Sequence, residues 1–398
     1  MPSVRSQRGL DWLTFFAADV QTGFGPFIAV YLAAHSWSEA QIGLALSLGT
    51  LTAMAGQVPA GIAVDASPNK RMAALLALVA IAASAVLLAL WPSTWPVMGS
   101  EVLHGVASAV LVPAMAAISL AMVGRAALSR RLGRNGRYAS LGNAAAAGLL
   151  GLAGAYISPA SVFWLTAVLT IPAIVALQSI QSKDLEERVR RSRTKGSGEG
   201  GLKRLLLKRS VLIFAAVCCL FTAANAAMLP LSGAQVTKES GAFANMVVAG
   251  GLIASQIIVA LISPYIGRLA DERGRRMVLL AGLAVVPLRG ALLAMLDGHW
   301  VVLAAQALDG INAAVFVILV PLIASDLTRG TNRFNLCMGI FGLAVGIGGT
   351  VSTMAAGAVA TWLGNSIAFA GLGVVGLLAF LLVLFMMPET KDGAAEDD

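Results

Sequence analysis

Runs of roughly 20 apolar residues recur along the whole chain, separated by short polar connections. Each run is long enough to cross a hydrocarbon core about 30 Å thick as a helix. In lipid, backbone polar groups must be satisfied within the segment, and no strand-period alternation is visible, so every run reads as a helix. Composition agrees, with 58% hydrophobic and only 12% charged residues, where soluble domains carry about a quarter charged. The expectation is an all-α, multi-pass membrane protein.

The pattern resolves into twelve spans. Six run over residues 10–34, 40–64, 72–91, 97–122, 137–157 and 161–181. Six more run over 210–235, 243–266, 276–296, 300–325, 334–361 and 366–387. This divides the chain into a first bundle (1–181), a basic linker (182–209) containing TKGSGEGG, and a second bundle (210–398) ending in an acidic tail. No cleavable leader is expected, because the first apolar segment is too long and lacks a small-residue cleavage site.

The net charge of +8 lies in the connections. Lys70, Arg71, Arg125 to Arg137, the linker, Arg268 to Arg276, Arg329 and Arg333 fall on alternate loops, and the opposite loops hold only Lys238. The positive-inside rule then places both termini and the linker in the cytoplasm, with no nucleic-acid partner required. Cys218, Cys219 and Cys337 have neither disulfide nor metal spacing.

The two halves echo one another. PAGIAVDASPNKR (59–71) aligns with SPYIGRLADERGRR (263–276), GSEVLHG (99–105) with AAQALDG (304–310), and RYASLG (137–142) with RFNLCMG (333–339). Gln21 and Pro26 match Asn225 and Pro230. Repeated bundles with a site between them are the architecture of secondary transporters.

On these residues the chain resembles the major facilitator superfamily over its whole length. It is closest in pattern to bacterial members related to the twelve-helix drug:proton antiporters. GRLADERGRR is similar to the superfamily's loop signature, with Gly267, Asp271, Arg273, Gly274, Arg275 and Arg276 in place. The first-half copy keeps Gly61, Asp65, Lys70 and Arg71 but has Ser67–Pro68–Asn69 where the central Arg-x-Gly stands. Two departures concern drug export: Glu101 occupies the span-4 position where exporters often carry Arg, and span 5 lacks the Gly-Pro signature. The resemblance implies two pseudo-symmetric six-helix bundles and a central cavity lined by spans 1, 4, 7 and 10.

Ionisable and polar groups inside spans are costly and are candidates by default. Asp19 comes roughly 14 Å into span 1 at 1.5 Å per residue, near the midplane. The cavity candidates are Asp19, Gln21, Thr22, Glu101, His104, Asn225, Asp309 and Asn312. Gln21 is expected to point towards a neighbouring helix. Asp19 or Glu101 is the expected proton site, since a desolvated carboxyl takes up protons more readily than one in water, with His104 as a relay. Glu101 is also close enough to the outer end to meet water. Asp309 has a partner in Arg289, giving a buried ion pair in place of a substrate contact.

The loop copies read as gates. Asp271 is expected within reach of a neighbouring helix N-terminus, a contact made when the cytoplasmic side is closed. Its degraded counterpart at Asp65 makes the expected gate asymmetric, leaning on the second bundle.

The expected function is secondary active transport of a small molecule across the inner membrane by a monomer, driven by the proton gradient without a cofactor. Export by antiport is favoured. Uptake of a metabolite or chelate and export of a divalent metal are alternatives, although no metal-ligand spacing is present. No nucleophile–base pair suggests an enzyme.

Overall fold

A computed structural model describes residues 2–22, 26–185, 208–233, 244–331 and 333–391, without the side chains of 19, 22, 26, 39, 40 and 244–249. Most of the basic linker, Lys238 and the acidic end of the tail lie outside these residues.

Among the described residues the chain is helical. The first expected span is carried by α1 (Val4–Thr22) and α2 (Pro26–Ala34). The next five are α3 (Glu39–Ala66), α4 (Lys70–Leu90), α5 (Thr94–Val123), α6 (Leu128–Tyr156) and α7 (Ser161–Ser179). The second half supplies α8 (Arg209–Asn225), α9 (Ala244–Arg273), α10 (Arg275–Met295), α11 (His299–Leu327), α12 (Phe334–Leu363) and α13 (Asn365–Met386).

Ten of the helices are long and apolar enough to cross a membrane on composition alone. The first and fifth expected spans are not among them: α1 carries Arg5, Arg8 and Asp11, and α6 carries Arg130, Arg131, Arg134 and Arg137 ahead of a stretch rich in Gly and Ala. These two helices pack side by side, and much of the charge that lowers their hydropathy is paired between them. The helix that carries the fifth expected span begins at Leu128, ahead of 137, so arginines expected in a connection are helical.

The chain groups into two compact units. The first comprises Met1–Ser197 with Gly330–Gly339, and the second Gly198–Arg329 with Ile340–Asp398. The first turns of α12 thus belong to the first unit.

Within the first unit α5 packs on α3 and α4, and α7 on α1 and α4. The second repeats this: α11 packs on α9 and α10, and α13 on α8 and α10. Matched glycines set the closest crossings. A Cβ on Gly105 would stand 2.7 Å from the Gly49 carbonyl oxygen, and one on Gly310 would stand 2.6 Å from that of Ser255. Likewise Gly142 abuts the Phe15 carbonyl and Gly348 that of Cys219. The counterpart of Gly142 is therefore Gly348 and not Gly339, as the alignment of RYASLG with RFNLCMG expected; Gly339 meets the Gln57 carbonyl instead. Small residues at such points let helix backbones approach where lipid supplies no hydrophobic drive.

Candidate transport site

The first unit's candidates sit on α1 and α5. Asp19 and Thr22 fall on the last turn of α1, with side chains outside the described residues, and Gln21 is half-buried there. Glu101, Gly105 and Ala109 follow at i, i+4 and i+8 and turn towards α3. Glu101 Oε2 lies against Gly49, and Gly105 and Ala109 pack on Gly49 and Gly56. Glu101 is only 4% exposed, so the water expected at its end of the span does not reach it. Its Oε1 has no hydrogen-bond partner among the described residues. On the adjoining face, His104 Nε2 is 3.2 Å from Ser108 Oγ, one turn on. Above them Ser84 Oγ donates to the Ser100 carbonyl (3.1 Å), tying α4 to α5.

The second unit places a different chemistry on the same frame. Arg289 of α10, 1% exposed, donates from Nε to the Ala305 carbonyl at 2.8 Å. That bond spans sixteen residues, as does the one from Ser84 to Ser100. From there Nη1 reaches Asp309 Oδ1 at 2.7 Å and also Asn225 Oδ1 at the end of α8. Ser255 of α9 is 3.5 Å from Asp309 Oδ2. Asn225 and Asp309 are therefore joined by the arginine. Asn312, one turn beyond Asp309, is fully buried with both amide atoms unpartnered among the described residues. Phe316, a further turn along, stacks on Phe221 with centroids 3.5 Å apart.

The two loop copies also diverge. Asp65 accepts from Asn335 N (3.0 Å), Asn335 Nδ2 (2.7 Å) and Leu336 N (2.8 Å), capping the start of α12. Gly61 makes room for this, since a Cβ there would strike the Asn335 carbonyl. Lys70 Nζ closes the end of α3 by donating to the carbonyls of Val64, Asp65 (3.1 Å) and Ser67 (2.8 Å). Arg71 turns to Ser182 Oγ at 2.6 Å and the Gln178 carbonyl at 3.4 Å.

In the second copy Gly267 is buried and Arg273 exposed. Gly274, at φ +90°, makes the turn before α10, a backbone region open to glycine. Asp271 lies 3.4 Å from Arg275 Nη1, whose Nε is 3.0 Å from Asp326. Arg276 and Arg275 donate their backbone N–H groups to Glu389, at 3.1 and 2.9 Å. A helix-capping contact of the kind expected of Asp271 is made by Asp65, while Asp271 faces Arg275 within the intact signature.

One cluster was missed by sequence reasoning. Asp11 of α1 is buried between Arg131 (2.6 Å) and Arg134 of α6. Arg131 Nε also donates to Asn135 (2.7 Å), which donates to Ser119 (2.8 Å). An acid at the second residue of the first expected span gave little signal, but an acid and arginines three apart on parallel helices could have given one.

A bundle of membrane-crossing helices, built twice on one plan with polar groups buried in the crossings, is the architecture of a secondary transporter. The Major Facilitator Superfamily profile matches residues 10–259 and 236–397, and the chain belongs to that family. The uncharacterized MFS-type transporter Rv2456c of Mycobacterium tuberculosis is 34% identical over 394 residues, covering 98% of this chain and 94% of that protein. The class B tetracycline resistance protein of Escherichia coli is 29% identical over 144 residues, covering 36% and 35%. The solved human organic anion transporter MFSD10 (TETRAN) superposes with a TM-score of 0.74 at 16% identity, covering 96% of this chain and all of that one.

Proposed function

We propose that this transporter exports a small molecule across the inner membrane by proton-coupled alternating access, with Glu101 and Asp19 carrying the proton. The observation that carries the reading is Glu101 itself, a carboxyl sealed in the α3–α5 seam with one oxygen unpartnered among the described residues. A bare carboxylate there would be expensive, so proton gain and loss become coupled to whether the seam is closed or wetted. Asp309 is the weaker candidate because Arg289 already offsets its charge. That same pairing weakens the metal-export alternative, since Asp309 is engaged by a cation of the protein. The tetracycline resistance relatives support export. The termini belong on the cytoplasmic side, the protein acts as a monomer, and the proton gradient replaces any cofactor.

Purified protein in proteoliposomes with an imposed pH gradient tests this, using tetracycline and a fluorescent organic cation as first compounds. Glu101→Gln should lower gradient-driven transport roughly 5- to 150-fold, the range of ordinary coupling energies. Exchange without a gradient should survive. Intact gradient-driven transport in both Glu101→Gln and Asp19→Asn would show that neither group carries the proton.

A further inference from the structure

We propose that the basic end of the α1–α6 seam is a binding site for the headgroup of an anionic phospholipid. The two helices run parallel there: Arg131 reaches the Gln7 carbonyl (3.4 Å), Arg134 reaches Asp11, Trp12 meets Tyr138, and Gly142 abuts Phe15. Their basic ends are therefore side by side, and Arg5, Arg8 and Arg134 are exposed on them.

Three features make this more than a topology signal. First, Asp11 is one buried charge set against two guanidinium groups, so the cluster retains a positive charge before Arg5 and Arg8 are counted. Second, Arg134 is held in place. Its Nε and Nη2 donate to Asp11, yet the side chain is 45% exposed, which leaves the remaining edge of the fork facing outward. A fixed guanidinium loses less freedom on meeting a phosphate than a mobile one. Third, an aromatic platform adjoins the charges. Trp12, 50% exposed, packs on Phe15, Phe16 and Tyr138, and Arg134 lies 6.0 Å over the Tyr138 ring.

The spacing along the helix matches a membrane boundary. Trp12 stands four residues beyond Arg8, about 6 Å at the helical rise. That is comparable to the roughly 5–7 Å of headgroup layer on each side of the hydrocarbon core. Arginines at headgroup level with Trp and Tyr one turn deeper are the pattern of interfacial anchoring. A phosphate placed among Arg5, Arg8 and Arg134 would leave its acyl chains beside Trp12 and Phe16, so a lipid fits the surface where a free anion uses only half of it.

The test uses the full-length protein in detergent, titrated with short-chain phosphatidylglycerol, short-chain phosphatidylcholine or inorganic phosphate, with thermal stability as the readout. Phosphatidylglycerol should stabilise the wild type at lower concentration than phosphatidylcholine, and inorganic phosphate should not substitute. Arg8→Gln, an exposed change, should weaken the phosphatidylglycerol effect about fivefold, the expectation for one basic residue at a charged surface. Arg268→Gln, in the other unit, should leave it unchanged. Equal response to both lipids, full replacement by phosphate, or an unaltered Arg8→Gln titration would each overturn the proposal.

Discussion

The two units answer the same structural question with different chemistry. At one position of the repeat a side chain donates across sixteen residues to a backbone carbonyl: Ser84 to Ser100 in the first, Arg289 to Ala305 in the second. The hydroxyl goes no further than Ser100, whose own Oγ lies 2.9 Å away. The arginine continues to Asp309 and Asn225, so the second unit's buried acid is neutralised by its own chain. In the first unit the corresponding helix carries Glu101, packed on Gly49 and unmatched by any such arginine among the described residues. The crossings are alike because backbone and glycine spacing set them. The charges differ because nothing in the packing requires a particular side chain at the site. One unit therefore holds its buried acid in a polar cluster, and the other leaves one oxygen of its buried acid unpartnered among the described residues.

The largest expected effect would break that division directly. Arg289→Ala leaves Asp309 without its cation and should cost about 3–5 kcal/mol, tempered because the Asp309 side chain is 20% exposed. Ser84→Ala removes one neutral hydrogen-bonding group and should cost nearer 1 kcal/mol. Thermal melting of both variants measures the gap. The double variant Arg289→Leu with Asp309→Asn should recover most of the loss. If Arg289→Ala melted like Ser84→Ala, the second unit's ion pair would not be the structural element argued here.

A mid-sized effect separates the loop copies. Asp65 caps α12 through two backbone N–H groups and the Asn335 amide, so Asp65→Ala should cost about 1–2 kcal/mol, the upper range for a lost cap. Asp271 is 27% exposed, and its i,i+4 contact with Arg275 at 3.4 Å is by itself worth a few tenths of a kcal/mol. Melting temperatures should therefore rank Asp65→Ala well below Asp271→Ala. The reverse order would restore the second copy as the dominant contact.

How far these features were legible in sequence follows from their cause. Span number, the repeat and the family come from hydropathy and spacing, which act over whole segments. The pairing of Arg289 with Asp309 was readable because an arginine in a span needs a counter-ion one helix away. The Asp65 cap on α12 was not legible, since a signature records which residues are present and not which neighbour claims the aspartate. Arg275 claims Asp271, and the unsigned start of α12 claims Asp65. Asp11 was hidden for a further reason: its arginines looked like a loop until α6 proved to begin at Leu128.

The smallest effect concerns the acids that follow the last helix of each unit. Glu389, beyond α13, accepts from the backbone of Arg275 and Arg276. Asp184, beyond α7, accepts instead from Ser6 Oγ (2.6 Å), Ser3 Oγ (2.7 Å) and Ser3 N (3.2 Å), fastening the start of α1. The Ser6 hydroxyl foremost, with Ser3, holds the Asp184 carboxyl below its ordinary value. A depressed folded value stabilises the protein fully above the unfolded value, about pH 3.9, and the contribution fades as pH falls through the folded one. Because the group is largely solvated, the gain is a few tenths of a kcal/mol after screening. Asp184→Asn should therefore melt slightly below wild type at pH 6, with the difference shrinking towards zero as the pH drops below about 4. A difference that held constant down to pH 3 would mean that the amide loses packing, not charge, and that the first unit's clasp works without its carboxylate.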